Sequence, residues 1–186
     1  MSVKIKKRGR PAKNSHTLNQ KSIIEQAKLL MRNDGKVPSI RQLATVLNID
    51  AMSIYHYFKN KNELLEAMTV SLMNEVYEPQ ENQQWQAELL RLAKSYLCLL
   101  QQYPGLLDTL LSMTTKNPAH LFIERFDMVI KPLNLESETR SNALNLLADY
   151  LHGFALAIKC NDQREPLNID MVEGPIALLC RAMALR

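Results

Sequence analysis

Within residues 39–61, SIRQLATVLNIDAMSIYHYFKNK, two helix-start signals lie eleven residues apart. That spacing leaves room for two short helices and a tight turn. Ser39 and Gln42 form an S-x-x-Q capping box, in which each side chain satisfies a backbone N–H of the other's end. Pro38 stops anything earlier from running through. Ile40, Leu43, Ala44 and Leu47 recur at i, i+3, i+4, i+7 and give the first helix one apolar face. Asn48-Ile49-Asp50 breaks the period. Asp50 then caps a second helix, predicted from Ala51 to about Phe58, whose Ile54 and Phe58 point back at the first. The pattern suits a helix-turn-helix and equally an αα-corner inside a helical protein. Helix geometry alone leaves both open.

Composition narrows the class. Of 186 residues 46% are apolar and 23% charged, with only five glycines. Apolar residues recur at three- and four-residue spacing nearly throughout, which predicts an all-α fold. No apolar run approaches the ~20 residues that span a bilayer, so no membrane partner is expected. The basic N-terminus lacks the apolar middle of a signal peptide. Cys98, Cys160 and Cys180 show no metal spacing and read as buried free thiols in a reducing, cytoplasmic compartment. No metal cluster, nucleophile–base pair or phosphate loop points to an enzyme, and no cofactor is implied. The charge is uneven: residues 1–68 hold thirteen Lys/Arg against five Asp/Glu, whereas residues 69–186 hold ten against fourteen. Screening confines surface charge to ~10 Å, so one end is suited to a polyanion, nucleic acid foremost, and the other is not.

Three regions follow: a basic arm (residues 1–17), a helix-turn-helix domain (18–66) and a helical remainder (67–186). In the arm, Arg8-Gly9-Arg10-Pro11 looks like an AT-hook core, with Arg8 and Arg10 suited to a narrow A·T-rich minor groove. A disordered solubilising tail is the alternative. A helix over Asn19–Asn33 carries Ile23, Ile24, Ala27, Leu30 and Met31 on its core face and stops at Asp34-Gly35. Asn60 caps another, with Glu63 in capping-box position, running to Tyr77 and closed by Pro79. This helix enters the second region and is placed to carry a displacement. Further helices are predicted over Trp85–Gln102, up to Met113, from Asn117 to before Pro132, over Glu138–Lys159 with Ser137 as cap, and over Pro175–Leu185.

The first 68 residues together resemble the tetracycline-repressor (TetR) family of transcription regulators. The basic GRP arm, the opening helix, SIRQLATVLNID and above all Tyr55-x-Tyr57-Phe58-Lys59-Asn60-Lys61-x-Glu63-Leu64-Leu65 carry the resemblance. More loosely, Trp85-Gln86, Ala93-Lys94-Ser95-Tyr96 and Tyr150-Leu151-His152-Gly153-Phe154 are similar to the tetracycline repressor's own branch. The resemblance implies a homodimer on double-stranded DNA, joined through a four-helix bundle, with a small-molecule effector held in the C-terminal domain. It places Ser39 and Lys61 on phosphate, Arg41 on a base, and Ala51, Met52 and Ser53 at base edges. Tyr55, His56 and Tyr57 would pack on sugar-phosphate and thymine methyls.

Departures limit the effector. Where the tetracycline repressor offers His and Asn to the drug, this chain has Tyr77 and Leu92, and Thr109 stands where that repressor has a magnesium-binding His. Tetracycline is therefore not the expected effector. The candidate lining is Tyr77, Trp85, Tyr96, Thr109, Met113, Phe122, Phe126 and His152, which suits a mostly apolar or aromatic ligand with few polar anchors. An ordinary core of Met and aromatic residues is the alternative. A constitutive or architectural DNA-binding dimer without an effector is the rival function.

Overall fold

The computed structural model describes residues 18–80, 83–113, 117–161 and 167–185. Among the described residues are nine α-helices, two short 3-10 turns and no strand. The first four helices are α1 (Gln20–Asp34), α2 (Ile40–Leu47), α3 (Ala51–Tyr55) and α4 (Lys61–Met73). Asn19 caps α1 through the Ser22 N–H, and Gly35 ends it at φ 67°, in the left-handed region that favours glycine. Both capping-box bonds of α2 form: Gln42 Oε1 accepts the Ser39 N–H at 2.9 Å and Ser39 Oγ accepts the Gln42 N–H at 3.2 Å. Asp50 starts α3 by accepting the Met52 N–H at 2.7 Å. Ile23, Ala27, Met31, Leu43, Ile54, Leu64 and Met68 are buried as one core. Truncating any of the larger ones to Ala should cost about 2–5 kcal/mol.

Two of these helices are shorter than their sequence pattern. α3 stops at Tyr55, not near Phe58: the Tyr57 N–H tightens to the Ile54 carbonyl three residues back (3.0 Å), which it shares with the Phe58 N–H (3.1 Å). The chain must then extend at Asn60 (φ −158°, ψ 173°) to cap α4. There Asn60 Oδ1 accepts the Glu63 N–H, while the Glu63 carboxylate reaches Lys59, one residue before the predicted partner. α4 ends at Met73 and not at Tyr77. Arg125, from a distant helix, takes the Met73 and Asn74 carbonyls at 2.9 and 3.3 Å. The Tyr77 N–H leaves the helical ladder for Ser95 Oγ at 2.7 Å.

The remaining helices are α5 (Trp85–Gln102), α6 (Leu106–Ser112), α7 (Asn117–Ile130), α8 (Ser137–Cys160) and α9 (Glu173–Ala184). α5 is central and packs against α7, α8 and α9, while α4 packs against α1 on one side and α6 and α7 on the other. Gly105, at the head of α6, lies against the loop after α1. A Cβ there would stand 3.1 Å from Lys36 Cα, so glycine permits this second approach between the two parts.

Other expectations need correction. Ser137 is the first residue of α8 and not its cap, which is Glu136 without a side-chain bond. α9 begins at Glu173, after a 3-10 turn over Ile169–Val172, so Pro175 lies inside the first turn, where a missing N–H is tolerated. Cys98 and Cys160 are exposed, and only Cys180 is buried. Cys98 points outward between buried Leu97 and Leu99, and Cys160 is the last residue of α8. Among the described residues no helix is long and apolar enough to cross a membrane.

Candidate nucleic-acid interface and effector core

The capped start of α2 and the short α3 together present an exposed face. Ser39, Arg41, His56 and Lys61 are exposed, Met52 is 66% exposed and Tyr55 41%. Ala51 and Ser53 are half-buried, close to the α2–α3 packing. Ser39 Oγ already serves as the α2 cap, which fixes it at the helix N-terminus, where the unpaired N–H groups favour an anion. Arg41 follows in the first turn of α2, and Lys61 opens α4. The nearby carboxylates are committed: Asp50 caps α3 and Glu63 binds the Lys59 N–H. Among the described residues, the charged side chains left without an intramolecular partner there, Arg41 and Lys61, are cations. Arg8 and Arg10 lie outside the described residues.

Tyr57 is placed differently from its neighbours. It is half-buried; its hydroxyl donates to the Leu18 carbonyl at 2.9 Å, and its own carbonyl accepts from Gln20 Nε2 at 3.0 Å. These bonds clamp the start of α1 onto the exit of α3, so Tyr57 braces the face from behind.

The eight candidate effector residues fall into separate groups. Tyr96, Phe122 and His152 meet: the Tyr96 and Phe122 rings lie 4.7 Å apart, and the Tyr96 hydroxyl is 2.9 Å from His152 Nε2. Burial pulls the His152 pKa down, partly opposed by Asp149, and pushes the Tyr96 hydroxyl up. Near neutral pH the pair is uncharged, a single polar contact in an apolar core. Phe126 is fully buried on the same helix as Phe122. Thr109 is buried and donates to the Gly105 carbonyl at 2.7 Å, and Met113 is half-buried just beyond α6. Trp85 stands apart, about three helical turns back along α5 from Tyr96, and Tyr77, although its N–H meets Ser95, sends its ring back toward Glu88. Tyr77 donates to Glu88 at 3.0 Å, and Trp85 lines a cleft of about 340 Å³ with Pro79, Glu88, Met128 and Pro132. Leu92, at the place of a tetracycline-binding residue, is fully buried.

Three buried charges escaped sequence reasoning. Glu88, 2% exposed, accepts from Tyr77, from the Gln80 N–H at 2.8 Å and from Arg91 at 2.6 Å. Burial alone would raise its pKa, but the Gln80, Tyr77 and Arg91 bonds outweigh it and hold the carboxyl below its ordinary range. Arg125, 7% exposed, has its pKa lowered by burial, with Glu78 and Glu124 opposing. Lys28 of α1 reaches Glu75 at 2.5 Å and Glu25 at 3.1 Å; burial would lower its pKa, but those two carboxylates raise it. The signal was available. Lys28, Glu88 and Arg125 each sit on the apolar side of their helix, one turn from Met31, Leu92 and Phe122 respectively, where a charge needs a partner.

A capped helix-turn-helix unit joined through α4 to a second helical unit defines a two-domain helix-turn-helix protein. Residues 24–68 match the model for bacterial regulatory proteins of the tetR family, and residues 78–173 match the tetracyclin repressor-like C-terminal domain. The chain belongs to the TetR family of bacterial transcription regulators, a class of DNA-binding regulators and not of enzymes. It is 28% identical over 147 residues to the HTH-type transcriptional repressor DrrR1 of Streptomyces coeruleorubidus, covering 75% of this chain and 53% of that one. It thus spans about half the length of that curated relative. Among solved structures, a TetR variant from Acinetobacter baumannii AYE in complex with minocycline has a TM-score of 0.72 at 21% identity, over 91% of this chain and all of the other (100%). BioQ with its double-stranded DNA operator also has a TM-score of 0.72, at 15% identity over 90% and 99% of the two chains. These likenesses concern the fold.

Proposed function

We propose that this protein is a cytoplasmic, ligand-responsive repressor that binds a palindromic operator as a homodimer and is released by a small, mostly apolar or aromatic effector. The observation that carries this reading is the exposed face of Ser39, Arg41, Met52, Tyr55, His56 and Lys61, held by two capped helices and braced by Tyr57. Arg41 is the candidate base reader, since its planar fork fits guanine O6 and N7. Ser39 and Lys61 are candidate phosphate contacts, and Arg8 and Arg10 candidate minor-groove contacts. Ala51, Met52 and Ser53 would approach base edges. The DrrR1 match and the DNA-bound BioQ neighbour support the same direction.

For the dimer, α8 leaves Leu146, Gly153, Leu156 and Ala157 exposed, and α9 leaves Leu178 exposed. Apolar and small residues on two adjacent helices suit a bundle with a second copy. Two recognition helices about 34 Å apart, or a multiple of it, would enter successive major grooves. An effector at the Tyr96–Phe122–His152 core would shift that separation only by its differential affinity for the two states. Binding-site selection from a random duplex pool tests the proposal. It should recover a two-fold symmetric site with half-sites about one helical turn apart or a multiple of it; an asymmetric or featureless pool would refute it.

A further inference from the structure

We infer that Arg125 is a latch that holds α4 one turn short and thereby couples the effector core to the DNA-reading unit. The apolar period of α4 continues through Val76 to Tyr77, and the first sequence stop is Pro79. The helix nevertheless ends at Met73. A helix end leaves four carbonyls in need of donors, and Arg125 supplies two from α7, to Met73 and Asn74. The next residues stay close to helical: Asn74 has φ −64° and ψ −22°, and the Glu75 and Val76 N–H groups bond to Leu72 and Met73 at 2.9 and 3.2 Å. Only the Tyr77 N–H is drawn away, by Ser95. If Arg125 withdraws and the Tyr77 N–H leaves Ser95, the Met73 carbonyl can accept that N–H in place of the guanidinium, and the nearly helical residues 74–77 join α4 as one further turn. Glu78 and Glu124, whose charges already favour the guanidinium, offer it alternative partners.

The latch has an input and an output. On α7, Arg125 lies between Phe122 and Phe126, and the Phe122 ring packs tilted against Tyr96, whose hydroxyl meets His152. A group that displaces Phe122 acts one turn from Arg125 on the same helix face. On the other side, Lys28 of α1 binds Glu75 within the same turn and also reaches Ser71 of α4. Re-setting this turn therefore moves Glu75 and, through Lys28, bears on α1. The consequence at DNA rests on the functional reading above; the change in helix length does not.

The test uses the full chain. Arg125→Gln keeps volume but loses the charged fork, and Arg125→Lys keeps charge while serving one carbonyl. By heteronuclear NMR, the Cα shifts of Asn74–Tyr77 should become fully helical in Arg125→Gln and move part of the way in Arg125→Lys. Unchanged shifts there in a folded Arg125→Gln, or in Arg125→Lys if the glutamine variant does not fold, overturn the latch. Fluorescence anisotropy on the selected duplex should then show affinity changed by on the order of tenfold. A lengthened helix with unchanged affinity overturns the coupling. If the wild-type chain selects no duplex at all, the functional reading fails, and the helix shifts still decide the latch.

Discussion

Replacing Glu88 with glutamine should destabilise the fold by about 1–4 kcal/mol, a figure that follows from what its carboxylate holds. Oε2 accepts the Tyr77 hydroxyl and the Gln80 N–H, and Oε1 accepts Arg91. Glutamine keeps the shape and one oxygen, so that oxygen can remain on Tyr77 and Gln80 while the new amide N–H groups face Arg91. Two charge-assisted bonds become neutral ones, each dropping from roughly 1.5–3 to about 1 kcal/mol. The Arg91 pair adds little, because that guanidinium is exposed and turns to water. For a chain of this size the loss corresponds to a fall in Tm of roughly 2–16 °C. Thermal and urea unfolding at matched protein concentration measure it. The pH dependence provides a second check. Glu88 is held below its ordinary pKa, so the folded state binds this proton less readily than the unfolded state. Its contribution is present above the unfolded value of about 4.3 and is lost as pH falls through the folded one. Glu88→Gln should flatten that acid limb. A change below about 0.5 kcal/mol with an unchanged acid limb would refute the reasoning.

Deleting Met1–Lys13 should weaken binding to the selected duplex and flatten its salt dependence, because each lost phosphate contact removes nearly one unit of log–log slope; an unchanged slope would sink the role given to Arg8 and Arg10. Arg41→Ala should relax preference at one base step by about 1–3 kcal/mol, measured against single-base variants of the site. Equal loss on every sequence would demote Arg41 to a phosphate contact. Isothermal titration should find no magnesium-dependent tetracycline binding, since Thr109 is committed to the Gly105 carbonyl and Leu92 is buried apolar; micromolar or tighter binding would contradict this.

What the sequence made legible was local. The Ser39–Gln42 box, the Asp50 and Asn60 caps and the Gly35 stop are decided within three residues, and each forms as its neighbours dictate. What stayed hidden was competition across the chain. α4 stops early because Arg125, 52 residues from Met73, reaches its carbonyl, and no local pattern encodes that meeting. Tyr57 read as one more outward tyrosine in Tyr55-His56-Tyr57, yet its hydroxyl closes onto Leu18, 39 residues away. The exposed candidate face was more legible than the candidate effector core for the same reason. Exposure at α2 and α3 follows from helix phase, whereas the grouping of Tyr96, Phe122 and His152 depends on how α5, α7 and α8 pack.

The central claim is that the face built from α2 and α3 reads a DNA sequence. Its most direct test is an anisotropy titration of the full chain on the selected duplex and on a scrambled duplex of equal length, across a range of salt. The account predicts at least about a thousandfold preference for the selected site at moderate salt, with both affinities falling steeply as salt rises. Equal affinity for the two duplexes would contradict it, whatever the strength of binding.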